Sequence, residues 1–158
     1  SSMITIQSIT PPGYQVFPCT YEDLATAIHC VFLALQCLHH VKLYHCDLHW
    51  PNILRAYRPD RWVLIDLEYA AIEEGQPIAY LHATQDLPDP KISGAASDIW
   101  MVGMLFHHPQ VSTLWQGKPD ENLADLIARL TNPMPSERLT VAEALAHPWL
   151  LAQSPGKN

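Results

Sequence analysis

The sequence predicts a mainly helical α+β domain that carries one small β-hairpin. Three observations predict it. Apolar residues recur at helical spacing over residues 20–40. Two short apolar runs, Ile53–Ala56 and 62–65, flank Pro59-Asp60, a pair suited to a turn. Thr140 with Glu143 spells a capping box that opens a final helix.

Residues 1–19 read as an extended lead-in broken at Pro11-Pro12-Gly13, and Ser1-Ser2 ahead of Met3 reads as a tag remnant. Thr20 with Asp23 caps the first helix, whose Leu24, Ile28, Val31, Phe32, Leu35 and Leu38 form one face. The hairpin follows, with polar loops at residues 45–52 and 66–70. Residues 71–94, with Gly75, Pro77, Pro88, Pro90 and Gly94, hold no sustained period and read as irregular. Residues 95–106 are apolar nearly all round, which marks a buried helix, and His107-His108 would cap its C-terminus. A further helix spans Glu121–Leu130. The last runs from Thr140 to about His147-Pro148, leaving 152–158 as a tail.

The 158 residues suit one domain, and 48% hydrophobic content is ample for a core. Nine basic against sixteen acidic residues give a net charge of −7, which argues against nucleic-acid or anionic-membrane partners. No apolar run approaches the roughly 20 residues of a membrane span, and residues 1–7 lack a signal-peptide pattern. Cys19, Cys30, Cys37 and Cys46 form no C-x-x-C pair, so the expectation is a reduced, intracellular, cytoplasmic chain with buried thiols. The five tryptophans read as core or surface anchors rather than base-stacking platforms.

Asp47, Asn52 and Asp66 are the polar residues that need a reason. Asp47 and Asn52 bracket one short loop, and Asp66 follows the second hairpin run, so three oxygen-bearing side chains can converge at one end of the hairpin. Such a set suits Mg²⁺, which takes one or two protein oxygens and fills the rest with phosphate and water. A remaining carboxylate can orient or deprotonate a hydroxyl. The alternation His45-x-Asp47-x-His49 is poor for zinc, whose ligands converge from more than one segment.

At these residues the chain resembles the eukaryotic protein-kinase superfamily. The stretch His45-Cys46-Asp47-Leu48-His49-Trp50-Pro51-Asn52 is similar to its catalytic loop, and Asp66-Leu67-Glu68 to its Asp-Phe-Gly metal motif. Ser97-Asp98-Ile99-Trp100 resembles its buried central helix, and Arg138-Leu139-Thr140 through His147-Pro148-Trp149 its closing motif. Asp47-x-His49 with Asp66-Leu67-Glu68 is also similar to phosphotransferases of the aminoglycoside and choline kinase type. The resemblance implies a kinase-like C-terminal lobe over residues 20–151. It implies that Asp47 orients the acceptor hydroxyl, His49 touches the γ-phosphate, and Asn52 and Asp66 hold Mg²⁺ and with it ATP. Asp98 would hold the loop backbone, and Arg138 would pair with an acidic residue, for which Asp86 is the candidate. His45 would be structural.

The departures shape the functional expectation. Cys46 stands for an Arg, His49 for a Lys, Glu68 for a Gly, and no glycine-rich loop or nucleotide lysine precedes residue 20. The reading is therefore a pseudokinase-type binding or regulatory module. It would meet a protein partner, or a second copy, through the face an N-terminal lobe would cover. The alternative is an ATP- and Mg²⁺-dependent phosphotransferase completed by another lobe.

Overall fold

A capped amphipathic helix forms the spine of the molecule. In the computed structural model, which describes residues 13–57, 61–82, 85–116 and 118–153, this helix α1 spans Tyr21–His40. Thr20 has extended backbone and its Oγ1 accepts the Asp23 N–H at 3.0 Å, satisfying a donor the helix itself leaves open. Asp23 does not return a side-chain bond to Thr20; its carboxylate pairs with Arg55 at 3.2 Å. Leu24, Ile28, Val31, Phe32 and Leu35 are buried, each contributing about 1.5–3 kcal/mol by leaving water.

The hairpin forms as β2 (Ile53–Ala56) and β3 (Trp62–Leu64), with Ile53 opposite Leu64. It is joined by a third strand that the sequence shows only as extended lead-in. This strand, β1 (Gly13–Gln15), lies antiparallel to β2, so the sheet order is β1-β2-β3. A side chain at Gly13 would put its Cβ 2.0 Å from the Arg55 carbonyl oxygen, so glycine is what lets β1 approach. Phe17 then stacks on His108 with ring centres 4.4 Å apart. The described part of the lead-in is thus docked. Residues 1–12, Pro59-Asp60, Thr84 and the tail beyond 153 lie outside the described residues.

Helix α2 (Ala95–Leu105) is buried around its girth, as expected of a sequence apolar on every face. Gly103 lets it lie against α4 (Glu121–Leu130), because a Cβ there would meet Thr131 Cγ2 at 2.5 Å. Between them lies α3 (Pro109–Ser112), and here His108 corrects the expectation of a C-terminal cap. Its Nδ1 accepts the Gln110 N–H at 3.3 Å, so it caps the N-terminus of α3, whose Pro109 cannot continue α2 but suits a first helical position. His107 is exposed.

The predicted last helix is two. Thr140 and Glu143 form the expected capping box of α5 (Val141–Leu145), and α6 (Pro148–Gln153) restarts at a proline, with His147 Nδ1 accepting the Trp149 N–H at 3.2 Å. Tyr21 ties three elements together. Its hydroxyl accepts from Trp149 Nε1 at 2.8 Å and donates to Asp120 at 2.5 Å, while the other Asp120 oxygen caps α4 through the Leu123 N–H. Of the four thiols only Cys46 is buried; Cys19 and Cys37 are exposed, contrary to expectation, and none is in a disulfide. Trp50, Trp62 and Trp149 sit in the core. No helix among the described residues is long and apolar enough to cross a membrane.

Candidate functional site

The loop after α1 is shaped from outside itself. Asp98, fully buried on α2, accepts the His45 N–H and the Cys46 N–H at 2.9 Å each, one on each carboxylate oxygen. His39 Nε2 lies 2.9 Å from the oxygen that serves His45. Charge-assisted bonds to two successive amides hold Cys46 in the left-handed region at φ 64°, a conformation that costs a non-glycine residue about 1–2 kcal/mol. Burial, with the Asp98 charge next, pushes the Cys46 thiol up to about 12, so it is inert at neutral pH.

His45 behaves as expected of a structural residue. It is fully buried, its Nδ1 accepts the Asp47 N–H at 3.2 Å, and its Nε2 donates to the Ile65 carbonyl at 2.9 Å. The Ile65 N–H in turn donates to the Asn52 carbonyl at 2.9 Å. These bonds join the loop to the chain just before Asp66.

Asp47 is buried and engaged at both oxygens. Asn52 Nδ2 donates to Asp47 Oδ2 and to the Asp47 carbonyl, both at 2.9 Å, and Gln85 Nε2 donates to Oδ1 at 3.2 Å. His49 Nε2 lies 3.4 Å from Asp47 Oδ2 and 3.2 Å from Asn52 Nδ2. His49 Nδ1 is buried without a hydrogen-bond partner. Desolvation, the largest effect, holds the imidazole below its usual range despite Asp47, and its ring stacks on His82 at 4.5 Å. Burial therefore favours the uncharged imidazole over the cation.

The structure thus brings Asp47, His49 and Asn52 into one network, whereas Asp66 stands beside it. Asp66 is exposed at φ 66°, and its Oδ1 accepts the Glu68 N–H at 3.1 Å. No hydrogen bond among the described residues joins its carboxylate to Asp47 or Asn52. Nor do three or more His, Cys, Asp or Glu side chains gather there as a metal cage. The donor set still fits Mg²⁺: Asn52 Oδ1 has no protein donor among the described residues, Asp66 is open, and this cation takes few protein oxygens.

Gln85 is the residue the sequence did not reveal. It is fully buried and donates to Asp47 and to the Leu48 carbonyl at 3.1 Å. Its Oε1 accepts the His82 N–H at 2.6 Å, and its carbonyl accepts Trp100 Nε1 at 2.9 Å. It lies in an aperiodic stretch, where nothing in the sequence marks it except adjacency to Asp86. Asp86 itself is exposed and is not the partner of Arg138, a correction to the expected pair. Arg138 instead donates to the carbonyls of Asn132 and Ala96 at 2.8 Å and of Pro133 at 3.4 Å, with its guanidinium 4.8 Å from the Trp100 ring centre.

Comparison with known proteins gives distant matches, several of them to protein kinases. The chain is 32% identical over 144 residues to "Crinkler effector protein 8" of Phytophthora infestans, across 87% of this chain and 24% of that protein. It is 28% identical over 162 residues to "Probable serine/threonine-protein kinase pXi" of Dictyostelium discoideum, across 88% of this chain and 23% of that protein. It is 26% identical over 161 residues to a "Calcium and calcium/calmodulin-dependent serine/threonine-protein kinase" of Oryza sativa subsp. japonica, across 82% of this chain and 31% of that protein. The chain therefore spans between about a quarter and a third of the length of these curated relatives. No family model matches it. The similarity is weak and partial, and it extends to several serine/threonine and calcium-dependent protein kinases.

Proposed function

We propose that residues 20–151 form the C-terminal lobe of a protein-kinase-like domain and supply the acceptor-side half of an ATP- and Mg²⁺-dependent phosphotransferase. The observation that carries this reading is the clamp: Asp98 fixes the main chain on which Asp47 is presented, with Asn52 in contact. Positioning and charge placement are what such a reaction asks of a protein. Asp47 would accept a hydrogen bond from the acceptor hydroxyl and take its proton, with Gln85 and Asn52 fixing the direction of its two oxygens. His49 would lie beside the γ-phosphate as an uncharged imidazole. Asn52 and Asp66 would hold Mg²⁺ with its nucleotide, which brings the transferable phosphoryl group and neutralises its charge.

A second reading, a pseudokinase-type binding or regulatory module, is favoured by two observations: both Asp47 oxygens already carry protein hydrogen bonds, and burial disfavours the charged form of His49. Under it the exposed Leu67, Tyr69, Ile72 and Tyr80 near the site are the surface a partner protein or second copy would cover.

The test uses the natural polypeptide that carries this sequence, at its full length. Mg²⁺-dependent ATP binding in the micromolar range, about −8 kcal/mol, is expected to vanish in Asp66→Asn and survive in Asp47→Asn. Phosphoryl transfer is expected to fail in both. Nucleotide binding that ignores Mg²⁺ and Asp66, or none at all, refutes the phosphotransferase reading and leaves the binding module.

A further inference from the structure

Arg138 is 7% exposed, and its side-chain hydrogen bonds run to three main-chain carbonyls. Carbonyls offer partial charge only, and among the described residues no carboxylate lies within ion-pair distance of this guanidinium. A buried cation without an anion is costly, and desolvation accordingly lowers the proton affinity of the group. The guanidinium carries five N–H bonds. Three are used in the contacts above, which leaves one on each terminal nitrogen.

The same side chain lines a cavity of about 500 Å³, within the range of small-molecule sites, roughly 300–1,000 Å³. Leu87, Pro90, Ile92 and Ala95 give that cavity its apolar walls. Its other polar side chains are those of Ser93, Ser97 and Glu74. Ser93 and Ser97 donate to the carbonyls of Glu73 and Ile92, and Glu74 accepts the Tyr44 hydroxyl at 2.7 Å. Arg138 is the one cation among the lining residues.

We propose that this cavity binds a small monocarboxylic acid with an apolar body, the carboxylate pairing with the two remaining N–H groups of Arg138. One guanidinium without further free donors matches a single negative charge rather than a phosphate dianion. A planar guanidinium matches a carboxylate in shape as well, and the walls match an aliphatic or aromatic remainder. The site is separate from the Asp47 network and stands whatever that network does.

Titration calorimetry with octanoate, benzoate and the neutral analogue 1-octanol tests it. At least one acid is expected to bind one per chain, with octanoate at least about tenfold tighter than 1-octanol, the scale of a charge-assisted bond. Arg138→Gln should abolish the preference for the acid. Ala95→Phe, which fills the cavity and leaves Arg138 in place, should abolish binding of acid and alcohol alike, and it decides the matter if Arg138→Gln does not fold. Equal affinity for octanoate and 1-octanol, acid binding that survives Ala95→Phe, or binding by neither acid overturns the proposal.

Discussion

Asp98→Ala removes the anchor of the loop at 45–52 and leaves two buried amides, those of His45 and Cys46, without acceptors. Each stranded donor costs about 1–3 kcal/mol, so the gross loss is about 2–6 kcal/mol. Two effects offset part of it. Cys46 is freed from φ 64°, recovering roughly 1 kcal/mol, and a fully buried carboxylate no longer has to be desolvated. A net loss of about 3 kcal/mol is expected, a large fraction of the 5–15 kcal/mol that typically separates folded from unfolded chains. Urea unfolding followed by tryptophan fluorescence reads it, because Trp50 sits at the end of this loop. With a slope of about 1–3 kcal/mol/M, the midpoint should fall by roughly 1–3 M at unchanged slope. Asp98→Asn keeps one acceptor and should lose less. A change under about 1 kcal/mol in the alanine variant would mean that the loop holds its own shape, and the clamp argument would fail.

Gly103→Ala should destabilise by about 1–3 kcal/mol through overpacking against Thr131, outweighing the gain in helix propensity, and Thr131→Ser should restore part of the loss in a double-mutant cycle read by thermal melts. For His49 the folded-state pKa is depressed by burial, so its contribution is full above the usual value of about 6.5 and declines as pH falls below it. Denaturation at pH 7.5 and 5.5 should show a smaller acid loss in His49→Gln than in the parent; an identical loss would rule His49 out. Asp120 is held below the usual carboxylate range, chiefly by the Tyr21 hydroxyl and next by the Leu123 amide. Its stabilisation is present above about pH 4 and disappears as pH falls through the lowered folded value, and Asp120→Ala should cost about 1 kcal/mol of the neutral-pH stability.

Local signals proved readable. The period of α1, the pairing of β2 with β3, the Thr140 capping box and the nearly all-apolar α2 are each written in local sequence, and each appears where expected. Asp98 was legible as a holder of the loop only through the kinase resemblance, and the two amide bonds match that role. Features set by distant contacts were not legible. Gly13 reads as a break beside two prolines, yet it is what admits a third strand against Arg55. Gln85 lies in the aperiodic 71–94 stretch, and Arg138 meets the carbonyls of Asn132, Pro133 and Ala96, contacts that no period encodes. Asp66 takes a positive φ and accepts the Glu68 amide, a backbone choice that sequence spacing does not reveal.

The tie at Tyr21 has a consequence for how the chain is made. Tyr21 and Trp149 meet across 128 residues of sequence, so at roughly 5–20 residues per second the ribosome completes this contact about 6–25 s after α1 is synthesised. The two sides of α1 wait unequally. The side that packs on β3 finds its neighbour early in synthesis, whereas the side that packs on α5 and α6 waits for the end of this sequence. During that interval the nascent chain shows one half-covered apolar helix to solvent or to a chaperone. A ribosome paused before residue 141 would hold it in that sticky state.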